Sequence, residues 1–173
     1  MKKVIGFVIL CAGFALSACS RSTPFETMGS VSQQSNADLK QQIVVALPNG
    51  ASICEENEQE KVYMCDGYTL SVQTMMGGDL NRTLKAITGF PKEELKIIET
   101  FENGTKKYSC VWTSAGEQEL QVGRSCILDD GFYHYAVTVM AGESKTGKLQ
   151  STWENLLGSC RLMDASVDLS TGS

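Results

Sequence analysis

The residues of this chain best able to do chemistry are its seven cysteines, its single histidine and a few adjacent carboxylates. His134 stands in Phe132-Tyr133-His134-Tyr135-Ala136-Val137, a run whose aromatic and β-branched content predicts a strand. A lone histidine there reads as a packed or surface residue before it reads as a catalyst, since general acid–base chemistry needs convergent partners. Asp129-Asp130 offers paired carboxylates, but Gly131 follows and makes a hairpin turn the simpler reading. Glu93-Glu94, just after Pro91, falls in a loop or helix start. No nucleophile elbow, zinc-protease helix or phosphate-cradling glycine loop occurs. The cysteines lack close C-x-x-C spacing and neighbouring histidines, so no metal is expected. Nor is a cofactor or any catalytic residue. The expectation is a binding protein and not an enzyme.

Two of the cysteines belong to the start of the chain. Met1-Lys2-Lys3 places positive charge ahead of an apolar run from Val4 to Leu16 that is too short to span a bilayer as a mature helix. This is the layout of a secretory leader. It ends in Leu16-Ser17-Ala18-Cys19, which resembles the lipobox of bacterial lipoproteins. The resemblance implies cleavage after residue 18, loss of Cys11 with the leader, and acylation of Cys19. Several acyl chains on one residue hold a protein firmly to a membrane, where a single chain is marginal. Ser20 stands where enteric lipoproteins kept in the inner membrane carry aspartate, so an outer-membrane anchor facing the periplasm is expected.

Residues 19–40 are rich in Ser, Thr, Gln and Asn and read as a lipidated, flexible tether. Residues 41–163 suffice for a single periplasmic domain with a real core. A polar tail, 164–173, follows. The whole chain carries a net charge of −5, and losing Lys2 and Lys3 makes the remainder more acidic. Nucleic acid and anionic headgroups want a basic footprint, so neither is an expected partner.

Within the domain, Gln42–Leu47 reads as a strand stopped by Pro48-Asn49-Gly50. The acidic stretch Glu55–Glu60 reads as a solvated hairpin tip. Tyr68–Met75 alternates as a strand, and Asp79 caps a short helix with Leu80, Leu84 and Ile87 on one face and Gly89 at its end. Four strands then follow as a meander: Lys96–Phe101, Lys107–Thr113, Glu119–Leu128 and Phe132–Met140. Glu102-Asn103-Gly104 and Asp129-Asp130-Gly131 supply two of its turns, and Ala115-Gly116 the other. Ser144 caps a helix whose buried face is Leu149, Trp153, Leu156 and Leu157, and Gly158 closes it. The fold class is α+β: an antiparallel sheet of about six strands flanked by a short helix and a longer C-terminal one. Two Asn-x-Thr sequons, at Asn81 and Asn103, are incidental in a bacterial export route.

Five cysteines remain for the domain, and an exported domain favours two disulfides and one free thiol. Cys54 and Cys65 flank the hairpin tip Glu58-Gln59-Glu60 and are expected to bond. Cys110 and Cys126 are expected at different levels of their hairpin, given a turn at Ala115-Gly116. The C-terminal helix returns the chain by roughly 21 Å along a strand advancing about 26 Å. That carries Cys160 back toward Cys126. The expected second bond is Cys126–Cys160, with Cys110 a free, buried thiol.

Taken together, the lipobox and polar tether, Val44-Val45-Ala46-Leu47-Pro48, the strand Tyr68–Met75 running into Gly77-Gly78-Asp79, and the helix Ser144–Leu157 resemble the DcrB-like lipoproteins. More distantly they resemble the PsbP-like fold of the photosystem II extrinsic subunit. The cysteines and the acidic hairpin depart from that pattern. The resemblance implies a sheet flanked by helices and a binding, assembly or adaptor role, with an envelope or secreted protein as partner. Immunity against an envelope toxin and an accessory role in envelope assembly both fit. A carrier of a small apolar ligand held between sheet and helix is the alternative. Met64, Met75 and Met76 are expected mainly in the core, and the five tyrosines either on an exposed face or beneath a helix.

Overall fold

Strand placement follows the period of the buried residues. In β4 (Tyr68–Met76), Tyr68, Leu70, Val72 and Thr74 are buried and their neighbours are not, as expected of a strand with one well-covered face. β8 (Tyr133–Gly142) is buried almost continuously, the mark of a strand covered on both faces. The structure, a computed structural model, describes residues 41–164. The expected leader, Cys19, Ser20, the expected tether and residues 165–173 of the expected tail lie outside the described residues.

The remaining strands are β1 (Gln41–Val44), β2 (Ser52–Glu56), β3 (Glu60–Cys65), β5 (Ile97–Glu102), β6 (Thr105–Ala115), β7 (Leu120–Asp129) and β9 (Arg161–Asp164). Seven of the nine strands among the described residues form one antiparallel sheet in the order β2-β3-β4-β8-β7-β6-β5. The expected meander is its right half, and the β5–β6 turn holds Asn103 and Gly104 at φ 51° and 81°, the left-handed conformations a tight hairpin requires. β1 and β9 form a separate two-stranded sheet. Its second strand closes the expected domain and takes in Asp164, the first residue of the expected tail; the strand itself was not foreseen, because a four-residue strand paired with a distant segment leaves no local signal.

Two cores lie on opposite faces of the sheet, since consecutive strand residues divide between them. Cys126, Leu128, Tyr135 and Val137 pack under α2 (Glu143–Ser159) with Trp153, Leu156 and Cys160. Ile127 and Ala136 pack on the other side with Leu84 of α1 (Leu80–Thr88). α1 forms as its caps predict: the Asp79 carboxylate accepts from Arg82 N–H at 3.1 Å, and Gly89 closes it at φ 81°. α2 departs from expectation at both ends. It begins at Glu143, one residue before Ser144, and runs past Gly158 to Ser159. Its N-cap is Gly142, which has no side chain to offer, and the capping carboxylate comes instead from Glu119 in the β6–β7 turn.

The expected turn at Ala115-Gly116 is also displaced. Ala115 pairs with Leu120, so the turn spans residues 116–119 and centres on Glu117-Gln118. The tyrosines are split between cores: Tyr63, Tyr68 and Tyr135 on the α2 side and Tyr108 on the α1 side, so they form no single binding face. Met64 and Met76 are exposed where core positions were expected, and only Met75 packs inward.

Candidate binding groove

His134 is wholly enclosed. Its Nδ1 lies 2.6 Å from the Thr83 hydroxyl on α1, and its Nε2 lies 3.7 Å from an Asp129 carboxylate oxygen. Hydroxyl, imidazole and carboxylate in that order resemble a nucleophilic triad. Thr83, however, is only 2% exposed, so no substrate can reach its oxygen, and the Asp129 separation is too long for a hydrogen bond. The Thr83–His134 bond fastens α1 to the sheet. Thr83 was not singled out in the sequence, though a threonine beside Leu84 on an apolar helix face was a signal that it needed a buried partner. Asp130 is a turn residue as expected: it accepts from Phe132 N–H, Tyr133 N–H and the Tyr135 hydroxyl. Glu93 and Glu94 lie in an exposed 3-10 turn.

The five domain cysteines stand as thiols. Cys54 and Cys65 occupy the two arms of the β2–β3 hairpin, but not opposite positions. Cys54 sits at a bulge between the pairs Ile53–Tyr63 and Glu55–Val62, its thiol toward the Val62 carbonyl at 3.4 Å. Cys65 lies beyond Met64, whose partner is Ser52. Cys126 and Cys160 share the α2-side core, where the Cys160 thiol donates to the Leu156 carbonyl at 3.5 Å and the two thiols interact. The interaction lowers Cys126 against the opposing effect of burial, whereas for Cys160 interaction and burial act together and push it well above the ordinary thiol range. Cys110 is buried, and burial pushes it up to about 11. The expected difference in level between Cys110 and Cys126 shrinks to one residue: Cys110 pairs with Ser125 and Ser109 with Cys126, because the turn lies later than the sequence suggested. What separates the two thiols is the sheet itself, with Cys110 in the α1-side core and Cys126 in the α2-side core.

A groove opens beside α2. The helix packs over β7 and β8, leaving the same face of β5 and β6 uncovered. The space measures about 640 Å³. Its floor is Ile98, Ser109 and Val111, and its wall is Leu157 and Gly158 of α2. Ile98 is 59% exposed and Val111 53%. Lys96, Lys107 and Arg124 border it with a single acid, Glu154. Arg124 Nη1 reaches Glu154 only at 3.9 Å, and its guanidinium carbon lies 5.7 Å from the Trp153 ring centre. Its Nε is buried with no hydrogen-bond partner among the described residues. An apolar floor bounded by three cations suits a ligand that is apolar along its length and carries carboxylates. Of these residues the sequence singled out only Trp153, Leu157 and Gly158, as parts of a helix and not of a site. The signal was present in β6, where Tyr108, Cys110 and Trp112 alternate with Lys107, Ser109 and Val111: the first set fills a core, and the second is left half-open.

Among the described residues no helix is long and apolar enough to cross a membrane, and no group of three or more His, Cys, Asp or Glu residues could hold a metal ion. No family model matches the sequence, and no curated protein matches it. Similarity appears at the level of structure. The solution structure of cyanobacterial PsbP (CyanoP) from Synechocystis sp. PCC 6803 aligns with a TM-score of 0.59 and 11% identity, covering 86% of this chain and 99% of that one. A crystal structure from Bacteroides thetaiotaomicron VPI-5482 aligns at 0.48 and 10% identity, over 70% of this chain and 44% of that one. The Saccharomyces cerevisiae Ran-binding protein Mog1p aligns at 0.46 and 10%, over 82% of this chain and 98% of that one. At such identities only the architecture is shared, and that architecture is the PsbP-like fold.

Proposed function

We propose that this protein is a lipid-anchored, non-catalytic binding module of the bacterial envelope, attached through Cys19 to the outer membrane and facing the periplasm. Its binding site is the groove between α2 and β5–β6, and its partner an envelope or secreted protein that lays an acidic, partly apolar segment into it. One observation carries the reading: in a chain of net charge −5, Lys96, Lys107 and Arg124 gather around an exposed apolar floor with one acid to oppose them. The lipobox and the secretory leader support the location. Toxin immunity and envelope assembly both use such a module, and the partner's identity distinguishes them.

A photo-crosslinking residue at Val111, introduced into the full chain in its native envelope, tests this. One dominant protein adduct, lost in Lys96→Glu/Lys107→Glu, is expected. An adduct unaffected by the charge reversal places recognition elsewhere, and the absence of any adduct removes the reading. The volume of the groove also lies in the range of small-molecule pockets, roughly 300–1,000 Å³. This favours a second reading, a carrier of a carboxylate-bearing amphiphile. Native mass spectrometry of the purified protein would then show a bound small molecule, and a consistently empty protein would exclude it.

A further inference from the structure

We propose that the end of the domain carrying Phe101, Phe132 and Met76 rests on the lipid bilayer, with these three side chains in the membrane interface. The proposal rests on the reading of Cys19 as the lipid anchor. The three are the most exposed large hydrophobic residues described: Phe101 and Phe132 at 70% and Met76 at 62%. Scattered single exposures mean little on any protein surface, but these share one end of the sheet. Phe101 pairs with Lys106, Lys106 with Asp129, Asp129 with His134 and His134 with Met75, a single row across five strands. Met76 and Phe132 lie just past it, where Gly77 N–H donates to the Phe132 carbonyl at 2.8 Å.

Two further observations give this end its occupant. The chain enters the domain here: the Tyr135 hydroxyl is 3.3 Å from the Gln41 carbonyl and 3.1 Å from the Asp130 carboxylate in the β7–β8 turn. Residues 20–40, the only link between Cys19 and the domain, therefore join it beside Phe132. The turn is also built to present that ring. Asp129 accepts from Gly131 N–H, and Asp130 accepts from Phe132 and Tyr133 N–H, so both carboxylates are turned onto their own backbone while the phenyl group is left outside. Such bonding fixes the backbone that carries the ring, and an exposed Phe gains by burying at the headgroup/acyl boundary. Glu99, Glu102, Asp129 and Asp130 share this end with Lys106 and Lys107, so a zwitterionic surface suits it better than an anionic one. Leu120, in the β6–β7 hairpin, marks the opposite end of the sheet at 48% exposure.

The test uses the full lipid-modified chain in phosphatidylcholine vesicles whose acyl chains carry bromine, which quenches indole emission on contact. Trp112 and Trp153 are buried in the protein and form a constant background. The emission added by Phe132→Trp should be quenched several-fold more than that added by Leu120→Trp, and Phe101→Trp should behave as Phe132→Trp does. Equal quenching of the two ends, or none at Phe132→Trp in protein that floats with the vesicles, overturns the proposal and leaves the anchor standing. Failure of the parent chain to float, with no acyl group on Cys19, overturns both.

Discussion

Glu119, in the β6–β7 turn, caps α2 from outside the helix, its carboxylate accepting the Ser144 N–H at 2.9 Å and the Ser144 hydroxyl at 3.1 Å. A helix N-terminus presents unpaired N–H groups and partial positive charge, which an ionised carboxylate answers. Those two hydrogen bonds, the backbone one first, lower the Glu119 pKa below its ordinary 4.5. A lowered folded-state value contributes stability that is fully present above 4.5 and is lost as pH falls through the folded value. Glu119→Gln should therefore melt at lower temperature than the parent at neutral pH, and the difference should shrink on acidification. Melting curves across pH check it, and a difference independent of pH would show that the charge contributes nothing.

Gly123 lies opposite Trp112 in the β6–β7 ladder, and a side-chain carbon there would enter the indole ring. Gly123→Ala should destabilise the domain by about 1–3 kcal/mol, the usual cost of overpacking. Gly147→Ala, on α2 where an added carbon meets nothing, should instead stabilise it by roughly 0.5–1 kcal/mol. Urea unfolding of both variants reads the contrast directly.

Cys126 and Cys160 lie together in the α2-side core, so an oxidant should join them with little movement. Non-reducing peptide mapping should recover that pair, and reduction should cost about 4 kcal/mol if the chain-entropy account holds. Cys54–Cys65 is the weaker expectation, because the bulge sets the two residues out of register. Cys110 should react with a maleimide only after unfolding. A Cys110 peptide linked to Cys126 would require the chain to break its own sheet.

Removing the His134 imidazole leaves the Thr83 hydroxyl buried and unpaired. His134→Ala should lose about 2 kcal/mol or more, since an orphaned buried polar group costs about 1–3 kcal/mol in addition to the cavity. Thr83→Val/His134→Leu, which removes both partners, should recover part of the loss. Crosslinking from Val111 should survive in the double variant, and its disappearance would give the Thr83–His134 pair a role in binding.

Local signals carried much of this protein. The expected leader and lipobox rest on short-range patterns too, but they lie outside the described residues. Asp79 and Gly89 mark α1, Asn103-Gly104 marks a hairpin, and the spacing of Trp153, Leu156 and Leu157 marks the buried side of α2; each is read from neighbours within a turn or two of chain. What only the tertiary structure decided depends on which distant segments meet. β9 pairs with β1, Glu119 supplies the cap Gly142 lacks, and Cys110 and Cys126 stand one residue apart in the ladder and so on opposite faces, because the turn falls two residues later than its glycine suggests. The groove belongs to the same class. Lys96, Ile98, Lys107, Val111 and Arg124 are ordinary surface residues in sequence, and they become a site only because α2 covers β7 and β8 and stops short of β5 and β6. Strand alternation says which residues share a face; only packing says which part of that face is left open.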